Sequence, residues 1–202
     1  MVAVLSFALM IAIRARVVAA ALSVAFGSVG AAQSPSVSPP SKRMLDGKQW
    51  TTENLNATTE PSYCYDNSAQ NCRRYGRLYT WGSAQQACRA LGGGWRLPTN
   101  EEWRRLASHY GGIRQESADL GKAAYTALIT GGSSGFNAVY GGGRTDKSGE
   151  YLRIEAHGFY WSATESSPDR AWFYNFGKGG QSFGRHEDGE KLRAFSVRCV
   201  KE

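Results

Sequence analysis

Three histidines, His109, His157 and His186, are the side chains best suited to proton transfer near neutral pH. Four cysteines, Cys64, Cys72, Cys88 and Cys199, offer thiolate, metal or disulfide chemistry. The histidines are far apart and none has a second ligand type at metal spacing, so they read as surface or hydrogen-bonded structural residues. No C-x-x-C or His-x-x-x-His spacing occurs, which disfavours zinc. A Gly-x-Ser-x-Gly elbow, a phosphate-binding glycine loop and a dinucleotide fingerprint are also missing. Ser133 and Ser134, set among glycines, read as a flexible turn. The candidates that remain are late aromatic and polar residues: Tyr160, Trp172, Tyr174, Asn175, Arg185 and His186. Flat rings suit stacking on sugars or peptides, while amides and guanidinium groups fix orientation. Strand alternation sends about half of such aromatics inward. Trp161 and Phe173 are therefore assigned to the core, and Trp172 is a further core candidate.

The elements that must position these residues begin with a helix start. Thr99 and Glu102 form a capping box after Pro98, and Trp103, Leu106 and Tyr110 recur on one helical face until Gly111-Gly112. An earlier helix is predicted over 81–91, with Trp81, Ala84, Cys88 and Leu91 on one face and Gly92-Gly93-Gly94 as its stop. A third helical piece is expected within 117–130. Asp46-Gly47 predicts a two-residue hairpin turn near the domain start. After Gly131, the segments 136–140, 159–164, 171–176 and 195–200 read as strands separated by loops. Two early helices followed by an irregular antiparallel sheet predict an α+β architecture.

The first 32 residues contain no acid, carry Arg14 and Arg16, and continue into an apolar run ending at small residues. This pattern predicts a signal peptide over 1–32, cut before Gln33, with a Ser/Pro-rich linker over 33–43 and one domain over 44–202. The apolar run is short for a membrane span, so no anchor is expected after cleavage. Two of the 24 basic residues lie in the leader, which leaves the mature chain a mild excess of five over its 17 acids. Basic pairs such as Arg73-Arg74 are not runs, so a solvated surface is expected and nucleic acid is not. Contact with anionic glycans or an envelope remains open on charge grounds. Export makes disulfides the default for the four cysteines, and three pairings are open. Cys64 and Cys72 bracket a turn-rich segment that suits a local bridge.

The stretch WRLPTNEEW (95–103), together with YCYDN (63–67), YGRLYTW (75–81), WTTENL (50–55), GFYWSAT (158–164) and FSVRCV (195–200), resembles the Fibrobacter succinogenes major paralogous domain family. The likeness runs from about Leu45 to Lys201. The RLPT-x-x-EW core and the VRC strand are also similar to the formylglycine-generating-enzyme superfamily, whose fold varies the C-type lectin fold. The resemblance therefore implies a C-type lectin-like fold with its two ends in one sheet. It also implies a Cys88–Cys199 bridge from helix to last strand, alongside Cys64–Cys72.

Enzymes of the resembled superfamily use a late pair of copper-binding cysteines, whereas this chain has only Cys199 there. Their iron-dependent relatives use a histidine-rich site, which three scattered histidines match poorly. Calcium-binding lectins carry proline triplets and a Trp-Asn-Asp strand, neither of which is present, and His186 to Glu190 reads as a solvated loop. No metal or cofactor is expected. The reading is an exported, non-catalytic lectin-like module, secreted, periplasmic or at a bacterial cell surface, that binds protein, glycan or envelope components through its late loops. The alternatives are an envelope enzyme with a degenerate formylglycine-generating-like site and a purely structural surface domain.

Overall fold

The computed structural model describes residues 39–202, so the expected signal peptide and most of the linker lie outside the described residues. Among the described residues, no helix is long and apolar enough to cross a membrane. Helices and antiparallel sheets combine in one α+β unit. The strands are β1 (Ser41–Arg43), β2 (Gln49–Thr51), β3 (Ser62–Tyr63), β4 (Leu78–Tyr79), β5 (Gly143–Arg144), β6 (Tyr151–Leu152), β7 (His157–Ser167), β8 (Arg170–Gly177), β9 (Ser182–Glu190) and β10 (Val200–Lys201). The helices are α1 (Ala69–Tyr75), α2 (Trp81–Ala90), α3 (Asn100–Ser108) and α4 (Lys122–Leu128). Strands order as β1-β2-β10 and β7-β8-β9, with the short pairs β3-β4 and β5-β6. The first sheet joins the two ends of the domain, as the resemblance implied.

Several elements differ from expectation. Ser41–Arg43, assigned to the linker, is a strand, because Lys42 pairs opposite Trp50 in β2. The turn between β1 and β2 spans residues 44–48, wider than a two-residue hairpin, and Gly47 supplies a φ of 82° that side chains avoid. The helix expected within 117–130 is shortened to α4, since Leu120 and Gly121 both take positive φ just before it. Helix α1 starts within the segment where only turns were expected and carries Cys72, the partner of Cys64, in its middle. Residues 136–140 form no strand; Ala138 makes only an isolated bridge to Ile129. Within 195–200 only Val200 joins a strand, while Phe195 and Ser196 bridge Tyr79 and Tyr160. The acidic stretch taken for a loop is part of β9, where exposed Glu187 and Asp188 leave its pairing with β8 intact apart from a local bulge.

Two large aromatic clusters fill most of the interior, beside a smaller one around Tyr65 and Leu78. One gathers Trp50, Trp103, Phe136, Tyr160, Tyr174, Phe176 and Phe183 beneath α3 and α4. The other packs Trp161, Phe173, Phe195 and Val197 against α2 and the Cys88–Cys199 bridge. Both disulfides follow the pairing that the resemblance implied, Cys64–Cys72 and Cys88–Cys199. Trp161 and Phe173 are buried as expected.

The capping box of α3 does more than start a helix. Glu102 accepts from the Thr99 amide at 2.9 Å, and its own amide donates to Thr99 Oγ1 at 3.2 Å. The same buried carboxylate receives both Arg96 terminal nitrogens at 2.6 Å and lies 3.3 Å from Lys48 Nζ, tying the RLPT turn to the end of the β1–β2 connection. Burial alone would raise the Glu102 pKa, but donation from Arg96, Thr99 and Lys48 outweighs it and holds the carboxyl at about 2. A folded pKa below the unfolded value contributes stability above about pH 4.5 that is lost as pH falls toward 2. Urea midpoints measured from pH 5 to pH 2 should therefore decline, and Glu102→Gln should flatten that slope. Identical slopes would remove Glu102 from the acid-sensitive interactions.

Candidate functional site

The three-stranded sheet β7-β8-β9 carries all six late candidates, and its pleat divides them. Tyr160 and Tyr174 point into the core and are fully buried. The Tyr160 hydroxyl exchanges hydrogen bonds with the Val139 amide and carbonyl, both at 2.9 Å. The Tyr174 hydroxyl donates to Asn100 at 2.8 Å, and its ring stacks on Trp103 at 5.1 Å. Burial pushes its pKa well up. Neither ring is open to a ligand, because alternation along β7 and β8 turns them toward α3. Trp172 shares the Tyr174 side of the strand at its half-buried edge, and the Arg185 guanidinium lies 4.7 Å over its ring. Arg185 Nη2 also lies 3.7 Å from Glu116.

Asn175 and His186 occupy the other face. Asn175 Oδ1 lies 3.1 Å from His157 Nδ1, His157 stacks on Phe159, and exposed His186 stacks on Phe173 with ring centroids 5.0 Å apart. Desolvation lowers the His186 pKa. Two histidines that are distant in sequence thus share one side of the sheet. No cluster of three or more His, Cys, Asp or Glu side chains among the described residues could hold a metal ion.

Beside them opens a pocket of about 110 Å³. Its floor is Phe159, Phe173 and Phe195, with centroids 4.9 to 6.0 Å apart, and its rim carries Arg144, Arg153 and Arg193. Gly143 in β5 lets the rim close down, since a Cβ there would meet the Phe195 ring at 3.0 Å. Arg144 and Arg193 are anchored, and Arg153 reaches the rim from an exposed position. Arg144 lies 4.1 Å over Tyr63, Arg193 pairs with Glu190, and Arg153 Nη1 approaches His157 Nε2 at 3.4 Å. Gly149 makes room for Arg144, because a Cβ would sit 2.4 Å from its Nη2. An apolar floor ringed by arginines can take a flat or apolar group that carries a negative charge.

The family model for the Fibrobacter succinogenes major domain matches residues 39–201, nearly the whole described chain. The chain belongs to that family. Comparison with curated proteins and with solved structures gave no match. In this Fibrobacter succinogenes major domain, the motifs that signalled the family serve mainly the interior: Trp50, Trp103, Trp161 and Arg198 are fully buried, and Glu102 is nearly so. Only Phe159 and Phe195 from those motifs reach the sheet-face pocket.

Sequence reasoning overlooked Arg144, Arg153, Arg193, Phe159 and Phe195 as partners in one pocket. Each arginine stands alone in its own segment, so no local period joins them. The glycine run 141–143 just before Arg144 was the one local sign of a close backbone approach.

Proposed function

We propose that this domain is an exported, non-catalytic binding module with a C-type lectin-like fold, and that it recognises a protein, glycan or envelope component through the part of the β7-β8-β9 sheet around Asn175 and His186 that α2 leaves uncovered. The fold reading is supported by the shared terminal sheet, the adjacent helices α2 and α3, and the bridge from α2 to the last strand. Two disulfides suit an oxidising compartment outside the cytoplasm. The observation that carries the functional reading is the Phe159, Phe173 and Phe195 floor ringed by three arginines, with Asn175 and His186 on the same face. At about 110 Å³ it is far smaller than the roughly 300 to 1,000 Å³ of small-molecule sites, and suits one anchoring group of a larger partner. Asn175 and His186 then supply directional hydrogen bonds beside that anchor.

The test is affinity capture from glycan arrays and envelope extracts, followed by titration of the captured partner. Arg144→Gln with Arg153→Gln should weaken binding at least tenfold without altering the fold by circular dichroism, and a chelator should leave it unchanged. Unaltered binding by the double variant would sink the assignment. Chemical conversion of the partner would replace the module by an enzyme.

A further inference from the structure

Away from the sheet-face pocket, two cavities of about 470 Å³ each share Arg74, Tyr75, Thr130 and Val139, forming one groove between α1, the 52–56 segment and residues 130–140. None of these residues lines the aromatic pocket. We infer that this groove is a binding site for an acidic oligosaccharide, one that combines carboxylate or sulfate groups with many hydroxyls. The site goes beyond the sheet-face reading and rests on different residues.

Charge is the first argument. The groove carries Arg73, Arg74, Lys178 and Arg198 against Glu53 and Glu155. Glu155 is already engaged, 3.0 Å from Arg74 and 2.8 Å from the Tyr75 hydroxyl that donates to it. Arg73 and Lys178 make no ion pair among the described residues.

Arg198 is more unusual, because it is fully buried and forms no ion pair among the described residues. Its Nε donates to Asn54 Oδ1 at 2.7 Å, Nη1 to the Thr51 and Phe136 carbonyls at 2.9 and 2.5 Å, and Nη2 to the Asn137 carbonyl at 2.7 Å. Neutral acceptors satisfy its hydrogen bonds, and Glu53, beyond ion-pair distance on the same groove, offsets its charge only in part. In a low-dielectric wall that charge projects into the groove and favours an anion there.

The second argument is the chemistry of the walls. Thr52, Asn56 and Asn137 line the groove with amides and a hydroxyl that match sugar hydroxyls, while Asn54 and Thr130, held by Tyr75, Arg198 and Ala138, shape its wall. Exposed ring faces, which nucleobases need for stacking, are scarce. Tyr75 is buried with the Arg74 guanidinium 4.9 Å over its ring, and Lys178 Nζ stands 5.9 Å from the Tyr140 ring. The groove thus suits a hydroxylated anion better than a single-stranded nucleic acid.

Fluorescence anisotropy with a labelled uronic acid hexamer tests this. A neutral glucan hexamer, an oligoglutamate and a single-stranded oligonucleotide of equal charge serve as rivals. The uronate should bind tightest of the four and weaken as salt rises. Arg73→Gln with Arg74→Gln, and separately Lys178→Gln, should each lower its affinity at least tenfold. These side chains lie at the groove mouth, so an unchanged thermal melt is expected. Arg144→Gln should have no effect on the uronate, which separates this site from the sheet-face pocket. Absence of uronate binding, equal binding of the neutral glucan, tighter binding of either rival anion, or indifference to the Arg73 and Arg74 changes would each overturn the inference.

Discussion

Replacing Cys88 and Cys199 together by alanine should destabilise the domain by about 4 to 5 kcal/mol, the larger of the two disulfide effects. That bridge spans 111 residues and ties α2 to the segment that leads into β10. Loop-closure entropy in the unfolded chain puts a closure of this length near 4.7 kcal/mol, against about 2 to 3 kcal/mol for the short Cys64–Cys72 loop. Both sulfurs are buried, so alanine avoids adding an unsatisfied hydroxyl. The Cys199 amide donates to Thr51 Oγ1 and its carbonyl accepts from the Thr51 amide, so losing the bridge also loosens the terminal sheet. Urea melts of the two double-alanine proteins check the ranking. If removing Cys64–Cys72 costs more, the terminal sheet is held chiefly by its packing and hydrogen bonds.

Trp103→Ala should cost roughly 3 to 5 kcal/mol, the range for a large aromatic deleted from a close-packed interior. Trp103 is fully buried, stacks on Tyr174 at 5.1 Å, meets Trp50 edge-on at 5.0 Å, and contacts Phe136, Tyr160 and Phe183. Its indole nitrogen donates to the Trp161 carbonyl at 3.2 Å, which leaves that acceptor unpaired in the variant. Chemical denaturation should show the loss as a large midpoint shift. An unchanged midpoint would mean that α3 does not present this face to the core in solution.

Local signals settled a good deal of this protein in advance. The Thr99–Glu102 capping box and the spacing of Trp103 and Leu106 define α3 by interactions within a few residues, so α3 was legible before any tertiary contact was known. The triple glycine after Leu91 ended α2 for the same reason. Family membership was legible too, because whole motifs recur in order along residues 39–201. Alternation in β8 warned that some late aromatics would be core, but not which ones. The phase of that alternation depends on the face that α3 covers, and only the fold sets it. Tyr160 and Tyr174 fell inside while Asn175 and His186 kept contact with solvent.

The sites themselves belong to tertiary structure. Arg144, Arg153 and Arg193 come from three segments with no common period, and Phe159 and Phe173 from two more, with Phe195 beside Arg193; only the close approach of the β5–β6 pair to the sheet makes them one pocket. Arg198 read as a residue in a terminal strand motif, yet its role follows from carbonyls contributed by Thr51, Phe136 and Asn137, up to 147 residues away. Sequence by itself determined where α2 and α3 start and stop, the family and the α+β class, since these rest on contacts within a turn or two of chain or on motif order. Long-range packing decided which side chains face solvent and which buried charges lie beyond ion-pair distance of a carboxylate, since both depend on neighbours that chain order does not specify.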